Sequence, residues 1–254
     1  MNTIGKRIRW NRFINSKTGR GVILPIDHGF TRGPIQGLEN VLNITLWLDH
    51  PVIRGVLAHK GVVQRLGAGG HLASKGVMIH LNGMISTSQD LAKKIQLTSV
   101  DAAVRYGADA VSIDLNFDGI NDEQNVQLLG RVVDDADQWG LPVLAMISDK
   151  LPFENEKKHI ERLRHFIRSC MELGVDAVKV SFQLSPTYLS SLLNHVAEDI
   201  PIFLAGGSLI DNDDTLIESV KTAMGSGARG LCIGRNIFQR SNPRLLLDRL
   251  LELV

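Results

Sequence analysis

Residues 173–178 read LGVDAV, and variants of the same phrase stand at residues 106–111 (YGADAV) and 226–231 (SGARGL). Each variant follows a stretch with helical periodicity and leads directly into a run of strand-forming residues. Glycine just past a helix relieves the strain of a left-handed terminal residue, and alanine lets the chain pack closely as it enters the strand. The recurring order of helix, glycine and strand predicts a chain built from repeated βα units.

The same alternation extends over most of the chain. Short apolar runs predict eight strands, at residues 22–27, 55–59, 77–81, 110–115, 142–147, 177–181, 201–205 and 230–233. In several of them the side chains that point to either face of the strand are apolar, as expected of strands that are covered on both faces in a parallel sheet. Helical periodicity predicts helices at residues 88–106, 122–138, 155–173, 186–197 and 213–224.

Eight βα units in 254 residues match the size of a (β/α)₈ TIM barrel, which is an α/β fold. We predict one barrel domain over residues 1–254, with residues 1–20 as an N-terminal lead-in. The alternative is a doubly wound open sheet. Because no GxGxxG motif follows the first predicted strand, a dinucleotide-binding fold of that kind is disfavoured.

The composition excludes several classes of protein. Lys and Arg number 28 against 27 Asp and Glu, a net charge of +1, and no basic block that could hold a nucleic acid or an anionic membrane is present. No run of about 18 apolar residues exists, and the polar start is unlike a signal peptide, so no membrane partner is predicted. Cys170 and Cys232 lie far apart without metal-ligand spacing, which favours two reduced thiols in a cytoplasmic protein.

Polar residues follow the predicted strands at their carboxyl ends, where the active sites of such barrels gather. They are Asp27 and His28, His59 and Lys60, His80, Asp114 and Asn116, residues 148–150, Lys179, residues 206–208 and residues 234–236. One such residue is typical of a solvated strand end, but eight ends of this kind predict a shared site. His28, His59 and His80 come from different strands and lack a local ligand pair such as HxH, so we predict no metal and no cofactor.

Lys179 lies within the strand AVKVS, between two valines. A lysine inside a barrel must find a counter-charge or lose its proton, because desolvation disfavours the ammonium form. The neutral amine is a nucleophile towards carbonyl carbon, as Schiff-base chemistry requires. We therefore predict that Lys179 is catalytic. The alternative is a structural lysine paired with a carboxylate such as Asp27 or Asp114.

Glycine follows the last two predicted strands, in LAGGSLID (residues 204–211) and IGRNIF (residues 233–238). Glycine lets backbone N–H groups approach an anion, and the loops after strands seven and eight of such barrels often hold phosphate. We predict a phosphate site here, formed by Gly206, Gly207, Ser208, Gly234 and Arg235. Arg235 could supply a bidentate charged contact, or, in the alternative, pair with a carboxylate on a neighbouring loop.

Residues 5–34, GKRIRWNRFINSKTGRGVILPIDHGFTRGP, resemble the N-terminal region of the DhnA-type class I aldolases. The likeness covers nearly the whole chain and continues through VLAHKGVVQ (56–64), VMIHLNGMIST (77–87), DAVKVS (176–181), LAGGS (204–208) and GRNIFQ (234–239). PIDHG and GRNIFQ are its most specific elements. The family includes archaeal-type fructose-bisphosphate aldolase, the aldolases making aminodideoxyheptulosonate and aminohydroxybenzoate precursors, and a thiolase acting on a phosphorylated autoinducer breakdown product.

The resemblance carries several implications about fold and chemistry. It implies a (β/α)₈ barrel, a Schiff-base lysine at Lys179 and a working aspartate at Asp27. It also implies that the loops at residues 206–208 and 234–235 hold a phosphorylated substrate, and that the chain forms a ring-shaped homo-oligomer, often a decamer.

The chain departs from the family pattern at two places. Many members end the fifth strand with a Tyr-Pro-Arg-Gly pattern whose Tyr is the acid/base, whereas this chain has Ser148 where that Tyr falls and Lys150 where the Arg falls. Leu209 follows the AGGS glycines where several relatives have lysine. Because a serine hydroxyl is a poor substitute for a phenol in proton transfer, another group must move protons. The predicted candidates for that role are Asp114, Asp149, His80 and a bound water.

Three functions are compatible with these residues. The leading prediction is a class I aldolase that acts on a phosphorylated ketose or ketone, such as dihydroxyacetone phosphate joined to an aldehyde. In that reading His80 and Lys150 also belong to the substrate-binding set, with Lys150 meeting a second anion. The second possibility is an acyl-transferring enzyme of thiolase type that acts on a phosphorylated diketone. The third is a barrel that binds a phosphosugar without catalysis.

Overall fold

Ten strands are present in the computed structural model, which describes residues 3–90, 93–181 and 186–254. They are β1 (Gly21–Pro25), β2 (Ile53–Ala58), β3 (Gly76–His80), β4 (Asn82–Gly83), β5 (Ile95–Gln96), β6 (Ala110–Phe117), β7 (Val143–Asp149), β8 (Ala177–Ser181), β9 (Ile202–Ala205) and β10 (Gly230–Cys232). Eight of them close a parallel barrel in the order β1-β10-β9-β8-β7-β6-β3-β2, while β4 and β5 form a separate antiparallel pair. The predicted (β/α)₈ barrel is confirmed, and every predicted barrel strand is observed with its ends shifted by two residues at most.

Helices precede, connect and follow the barrel strands. They are α1 (Ile4–Trp10), α2 (His28–Arg32), α3 (Lys60–Ala68), α4 (Val100–Arg105), α5 (Asp122–Gln138), α6 (Glu156–Glu172), α7 (Pro186–Leu193), α8 (Val196–Asp199), α9 (Asp213–Gly225), α10 (Arg235–Phe238) and α11 (Pro243–Leu251), with a 3-10 helix at Val41–Leu46. Across residues 3–90, 93–181 and 186–254, none of these helices has the length and apolar character that a bilayer crossing requires. The ring-shaped homo-oligomer that the family resemblance implies stays a prediction.

The glycines of the recurring phrase occupy the positions that the sequence predicts for them. Gly107, Gly174 and Gly227 follow α4, α6 and α9, and all adopt positive φ, of 78°, 90° and 102°. That conformation ends each helix at little cost only because glycine has no Cβ. The next strand therefore begins within three residues of each glycine.

The aspartates of the phrase anchor the N-terminal lead-in beneath the barrel. Asp176 accepts a hydrogen bond from the backbone of Val143 and another from Lys6 Nζ, at 3.0 and 2.8 Å. Asp109 binds the backbone of Val77 in the same way and pairs with Arg12. Two buried carboxylates at the amino ends of the strands thus attach α1 and the segment that follows it.

Phe13 plugs this end of the barrel. It is fully buried and packs with Trp10, whose ring meets Phe203 edge-on at a centroid distance of 5.7 Å. Gly55 and Gly76, register partners on β2 and β3, make room for it: an added Cβ would lie 2.4 Å and 2.7 Å from carbon atoms of the Phe13 ring. The lead-in therefore completes the inner core.

Replacing Phe13 by alanine should destabilise the protein by about 3–5 kcal/mol, because it removes a fully buried aromatic ring from a site that the surrounding strands cannot collapse to fill. Urea unfolding measures the change in the free energy of unfolding. Phe153→Ala is the matched control, since Phe153 is 62% exposed and should change stability by about 0.5 kcal/mol or less. A loss below about 1 kcal/mol for Phe13→Ala would show that the plug is not part of the core.

Two predicted helices are wrong in extent. In the helix predicted at residues 88–106, residues 91 and 92 lie outside the described ranges, and among the others only α4 is helical. Ile95–Gln96 pairs with Asn82–Gly83 as a β-ribbon, and Ser99 caps the start of α4 by accepting from the backbone of Ala102. The helix predicted at residues 186–197 is divided into α7 and α8 at His195, which has a φ of 67°. In both cases a local backbone feature interrupts an apolar periodicity that continues through it.

Candidate active site

A cavity of about 350 Å³ opens at the carboxyl ends of the barrel strands. Most of the polar residues predicted there face it, namely Asp27, His28, His59, His80, Asp114, Asn116, Ser148, Lys150, Lys179 and Arg235. The barrel geometry brings them together because the ends of all eight parallel strands converge on one face. A wider groove of about 640 Å³ lies elsewhere, among α7, α8 and the end of α9, and none of these predicted residues lines it.

Lys179 on β8 lines the cavity together with Met146 and Asp114 on the two strands that follow it in the barrel order. Asp114 on β6 and Lys179 on β8 are both register partners of Met146 on β7. The Lys179 ammonium or amine group donates to the thioether of Met146 at 3.3 Å, a weak acceptor that solvates a cation poorly. No carboxylate in the described ranges forms an ion pair with Lys179. The structure therefore does not form the salt bridge on which the alternative of a structural lysine rests.

Asp27 is the carboxylate that β1 delivers to this cavity. His28 Nδ1 lies 3.6 Å from one of its oxygens, and His80 Nε2 lies 3.9 Å from the other. Burial by itself would raise the pKa of Asp27, but the surrounding groups His80, His28 and Lys179 lower it to about 2. Asp27 is therefore an anion at neutral pH and can stabilise a cation in the cavity.

His80 is held as a neutral imidazole. Its side chain is 4% exposed, and its Nδ1 lies 2.9 Å from Ser112 Oγ. Burial lowers the pKa of His80 to about 3, despite the opposing effect of Asp27. Together with His28 and His59 it lines the cavity, but in the described part of the chain no group of three His, Cys, Asp or Glu side chains is placed to hold a metal ion.

Asp149 and the glycines of the two loops, which the sequence assigns to the site, do not line the cavity. Asp149 is 1% exposed and accepts from Arg162 Nε at 2.8 Å and from the backbone of Leu151 at 3.0 Å. Successive side chains on a strand point to opposite faces, so Ser148 reaches the cavity and Asp149 faces α6. Residues 206–208 and Gly234 also do not line the cavity.

The two glycine loops are tied together by Asn236. This fully buried side chain donates to the backbone oxygens of Gly206 and Ser208, at 2.8 and 3.0 Å, and accepts from the backbone of Ile210 at 2.8 Å. Gly206 is needed for this packing, because an added Cβ would lie 2.8 Å from Asn236 Nδ2. The bridge holds the loops after β9 and β10 in one arrangement.

Arg235 extends from the second of these loops into the cavity. Its Nε atom is buried and has no hydrogen-bond acceptor among the described residues. Because the side chain lines the cavity, its guanidinium can bind an anion that enters there. The carboxylate partner of the alternative interpretation is therefore not observed for this atom.

Lys94 and Arg32 are charged residues of the cavity that the sequence did not predict. Lys94 pairs with Asp114, and the two side chains are 13% and 22% exposed. Lys94 falls within the helix predicted at residues 88–106, whereas the structure places it directly before β5. The available signal was the cluster of Asn, Gly, Ser and Thr in residues 82–90, which is typical of a loop and, directly after a barrel strand, of a loop on the catalytic face.

The chain matches a family model and several characterised proteins. The model described as DeoC/LacD family aldolase matches residues 21–240. A relative from Archaeoglobus fulgidus, 2-amino-3,7-dideoxy-D-threo-hept-6-ulosonate synthase 1, is 35% identical over 241 residues, which cover 94% of this chain and 87% of the relative. A 3-hydroxy-5-phosphonooxypentane-2,4-dione thiolase from Yersinia pseudotuberculosis is 26% identical over 246 residues, or 96% of this chain and 80% of the thiolase.

The fold also matches a solved structure over nearly its whole length. An archaeal fructose-1,6-bisphosphate aldolase, with its catalytic Lys covalently bound to the carbinolamine intermediate of the substrate, superposes with a TM-score of 0.84. The match covers 97% of this chain and 98% of the aldolase, at 24% identity. At that identity the superposition supports the fold.

Proposed function

The chain belongs to the DeoC/LacD family of aldolases, and from that premise we propose that it is a class I aldolase in which Lys179 forms a Schiff base with a phosphorylated ketose or ketone. The observation that carries the proposal is the placement of Lys179. Its amine faces a cavity of about 350 Å³ without an ion-pair partner in the described ranges, above the thioether of Met146. An amine that faces a cavity and is not held in a salt bridge is free to attack a carbonyl carbon that enters the cavity.

The cavity residues support each step of the reaction. The Lys179 nitrogen attacks the ketone carbonyl, and loss of water from the carbinolamine leaves an iminium cation. Asp27 is an anion in the same cavity and stabilises that cation. The iminium then takes up the electron pair of the C–C bond that breaks in cleavage, or supplies the enamine that attacks an aldehyde in condensation.

The positive charges in the cavity favour a phosphorylated substrate. Arg235, Arg32, Lys94 and Lys150 all line it, and Arg235 and Arg32 are close enough to interact electrostatically. Against these stand the carboxylates of Asp27 and Asp114, of which Asp114 is paired with Lys94. Dihydroxyacetone phosphate and an aldehyde acceptor fit this description of the site.

Arg235→Ala should weaken the binding of dihydroxyacetone phosphate by about 2–3 kcal/mol, which is the range for a lost charge-assisted hydrogen bond. Unphosphorylated dihydroxyacetone should bind the variant almost as it binds the wild type, since it never makes the contact. Titration of each ligand measures the two affinities. Equal weakening of both ligands would identify Arg235 as a structural residue of the last loop and would remove the phosphate assignment.

Borohydride reduction tests the proposed reaction directly. In the presence of dihydroxyacetone phosphate, reduction should trap the iminium and add the mass of the reduced ketone at Lys179, as read by peptide mass spectrometry. The same treatment without ketone is the control. If no phosphorylated ketose or ketone can be trapped, the Schiff-base proposal fails.

Acyl transfer is the second candidate, and the absence of tyrosine among the described residues that line the cavity is the observation that favours it. Both tyrosines of the chain lie outside the cavity: Tyr106 is 40% exposed, and buried Tyr188 bonds His159 at 2.7 Å. With no phenol available for proton transfer, Lys179 could instead accept an acyl group from a phosphorylated diketone, as the name of the Yersinia pseudotuberculosis relative suggests. Coenzyme A separates the candidates, because an aldolase ignores it and a thiolase requires it.

A further inference from the structure

The β4–β5 ribbon delivers Lys94 to a defined place in the cavity. Its strands pair Asn82 with Gln96 and Gly83 with Ile95. The Asn82 side chain also donates to the Asp114 carbonyl and accepts from the Asp114 backbone N–H, both at 2.8 Å. The ribbon is therefore attached to β6 at Asp114 itself, and Lys94 stands directly before β5.

The resulting ion pair faces Lys179. Lys94 Nζ contacts the Asp114 carboxylate, and both groups line the cavity that contains Lys179. Asp114 and Lys179 are register partners of the same residue on the strand between them. Neighbouring strands lie about 4.8 Å apart, so the two backbones are about 10 Å apart, which leaves room between the side chains for the reacting carbons of a small substrate.

Other groups in the cavity are poor proton donors at neutral pH. Asp27 is ionised, since its pKa is lowered to about 2, and burial lowers the pKa of each of the three histidines that line the cavity. Ser148 offers only a hydroxyl, and the side chain of Lys150 is exposed. Lys94 differs because its ammonium group is shielded and contacts the Asp114 carboxylate. Burial and the charges of Lys150 and Lys179 lower its pKa to about 8, so it is protonated at neutral pH and gives up its proton more readily than an exposed lysine.

We propose that Lys94 is the general acid of the C–C bond step, with Asp114 as the residue that positions it. The assignment rests on the proposed Schiff-base function. In condensation, the enamine carbon on Lys179 attacks the aldehyde carbon, the C=O π pair moves to oxygen, and that oxygen takes a proton from the Lys94 ammonium, whose N–H pair stays on nitrogen. The neutral amine regains a proton from solvent, which balances the proton released when the enamine formed. Cleavage runs through the same steps in reverse.

Lys94→Met and Lys94→Arg test the proposal, with Lys93→Met as the matched control. The Lys93 side chain is exposed and does not line the cavity. Two readouts are needed: borohydride trapping of dihydroxyacetone phosphate at Lys179, and turnover with the aldehyde that the wild type uses best from a panel. Trapping reports Schiff-base formation alone, whereas turnover also requires the C–C bond step.

Lys94→Met should trap the ketone at a rate within about threefold of wild type and lose turnover by about 100-fold or more, the usual loss for a missing general acid. Lys94→Arg should stay equally slow, because a guanidinium keeps the charge but does not release its proton. Lys93→Met should behave as wild type. This combination supports a proton-transfer role.

Four outcomes would overturn the assignment. Turnover of Lys94→Met near the wild-type rate would show that Lys94 is not needed. Recovery of turnover in Lys94→Arg would show that charge alone suffices, and loss of trapping in Lys94→Met would show that Lys94 builds the Schiff-base site. If the wild type traps the ketone but condenses it with no aldehyde, the C–C bond step proposed for Lys94 does not occur. Failure of trapping in the wild type is the separate result that removes the Schiff-base function itself.

Discussion

Lys179→Met should abolish turnover, by about 10⁴-fold or more, as expected when a covalent nucleophile is removed. Methionine keeps the length of the aliphatic stem, so the space beside Met146 remains filled while the nitrogen is lost. The same variant should show no mass increase after borohydride treatment with dihydroxyacetone phosphate. The effect is larger than that of any binding residue because no covalent intermediate can form without the amine.

Lys221→Met is the control for this substitution, because Lys221 is an exposed residue on α9 whose nearest carboxylate is that of Glu218. It should leave both turnover and trapping at the wild-type level. Thermal unfolding of both variants establishes that the barrel is intact. Trapping that persists in Lys179→Met, or turnover above about 1% of wild type, would place the Schiff base on another lysine of the cavity.

The barrel itself was predictable from local sequence. Strands covered on both faces are apolar runs, and the glycine after α4, α6 and α9 is needed for a left-handed helix end, so both signals are visible in the sequence. The plug beneath the barrel was not predictable in the same way. Phe13 fits because Gly55 and Gly76 leave space on two neighbouring strands, and that relation joins residues far apart in sequence.

The candidate site was predictable where it depends on strand ends. Asp27, Lys179 and Arg235 follow or belong to barrel strands, and the carboxyl ends of parallel strands converge by construction. Asp149 shows the limit of that argument, since a shift of one residue along β7 turns a side chain from the cavity to α6. The convergence of strand ends does not predict where a residue on a long loop lies relative to the cavity.

Lys94 is the clearest example of such a loop residue. Its position depends on the pairing of β4 with β5 and on the hydrogen bonds between Asn82 and the backbone of Asp114. The apolar spacing around it is also compatible with a helix, which is the structure that periodicity predicts. Long-range hydrogen bonds override that local preference, so the sequence alone could identify the loop by its polar composition but not the path of its chain.

Asp27→Asn should lower both turnover and the rate of borohydride trapping, by about 100-fold or more, because the amide cannot stabilise the iminium on Lys179. The substitution keeps the shape of the side chain. It also removes no helix-capping hydrogen bond, since the Asp27 side chain, which precedes α2, makes none. The ratio between wild type and variant should be the same at about pH 6 and about pH 8, because a carboxyl whose pKa is lowered to about 2 is ionised at both.

The comparison with Lys94→Met separates two steps of the reaction. Asp27 acts on the cation that forms when the ketone binds, so its loss should slow trapping, whereas Lys94 acts on the oxygen of the acceptor and should leave trapping intact. Single-turnover trapping with dihydroxyacetone phosphate, without any aldehyde, measures the first step alone. If Asp27→Asn trapped the ketone at the wild-type rate but lost turnover, the Asp27 carboxylate would act in the C–C step and not at the iminium. If it lost neither, the low pKa of Asp27 would reflect only its contacts with His28 and His80 in the cavity wall.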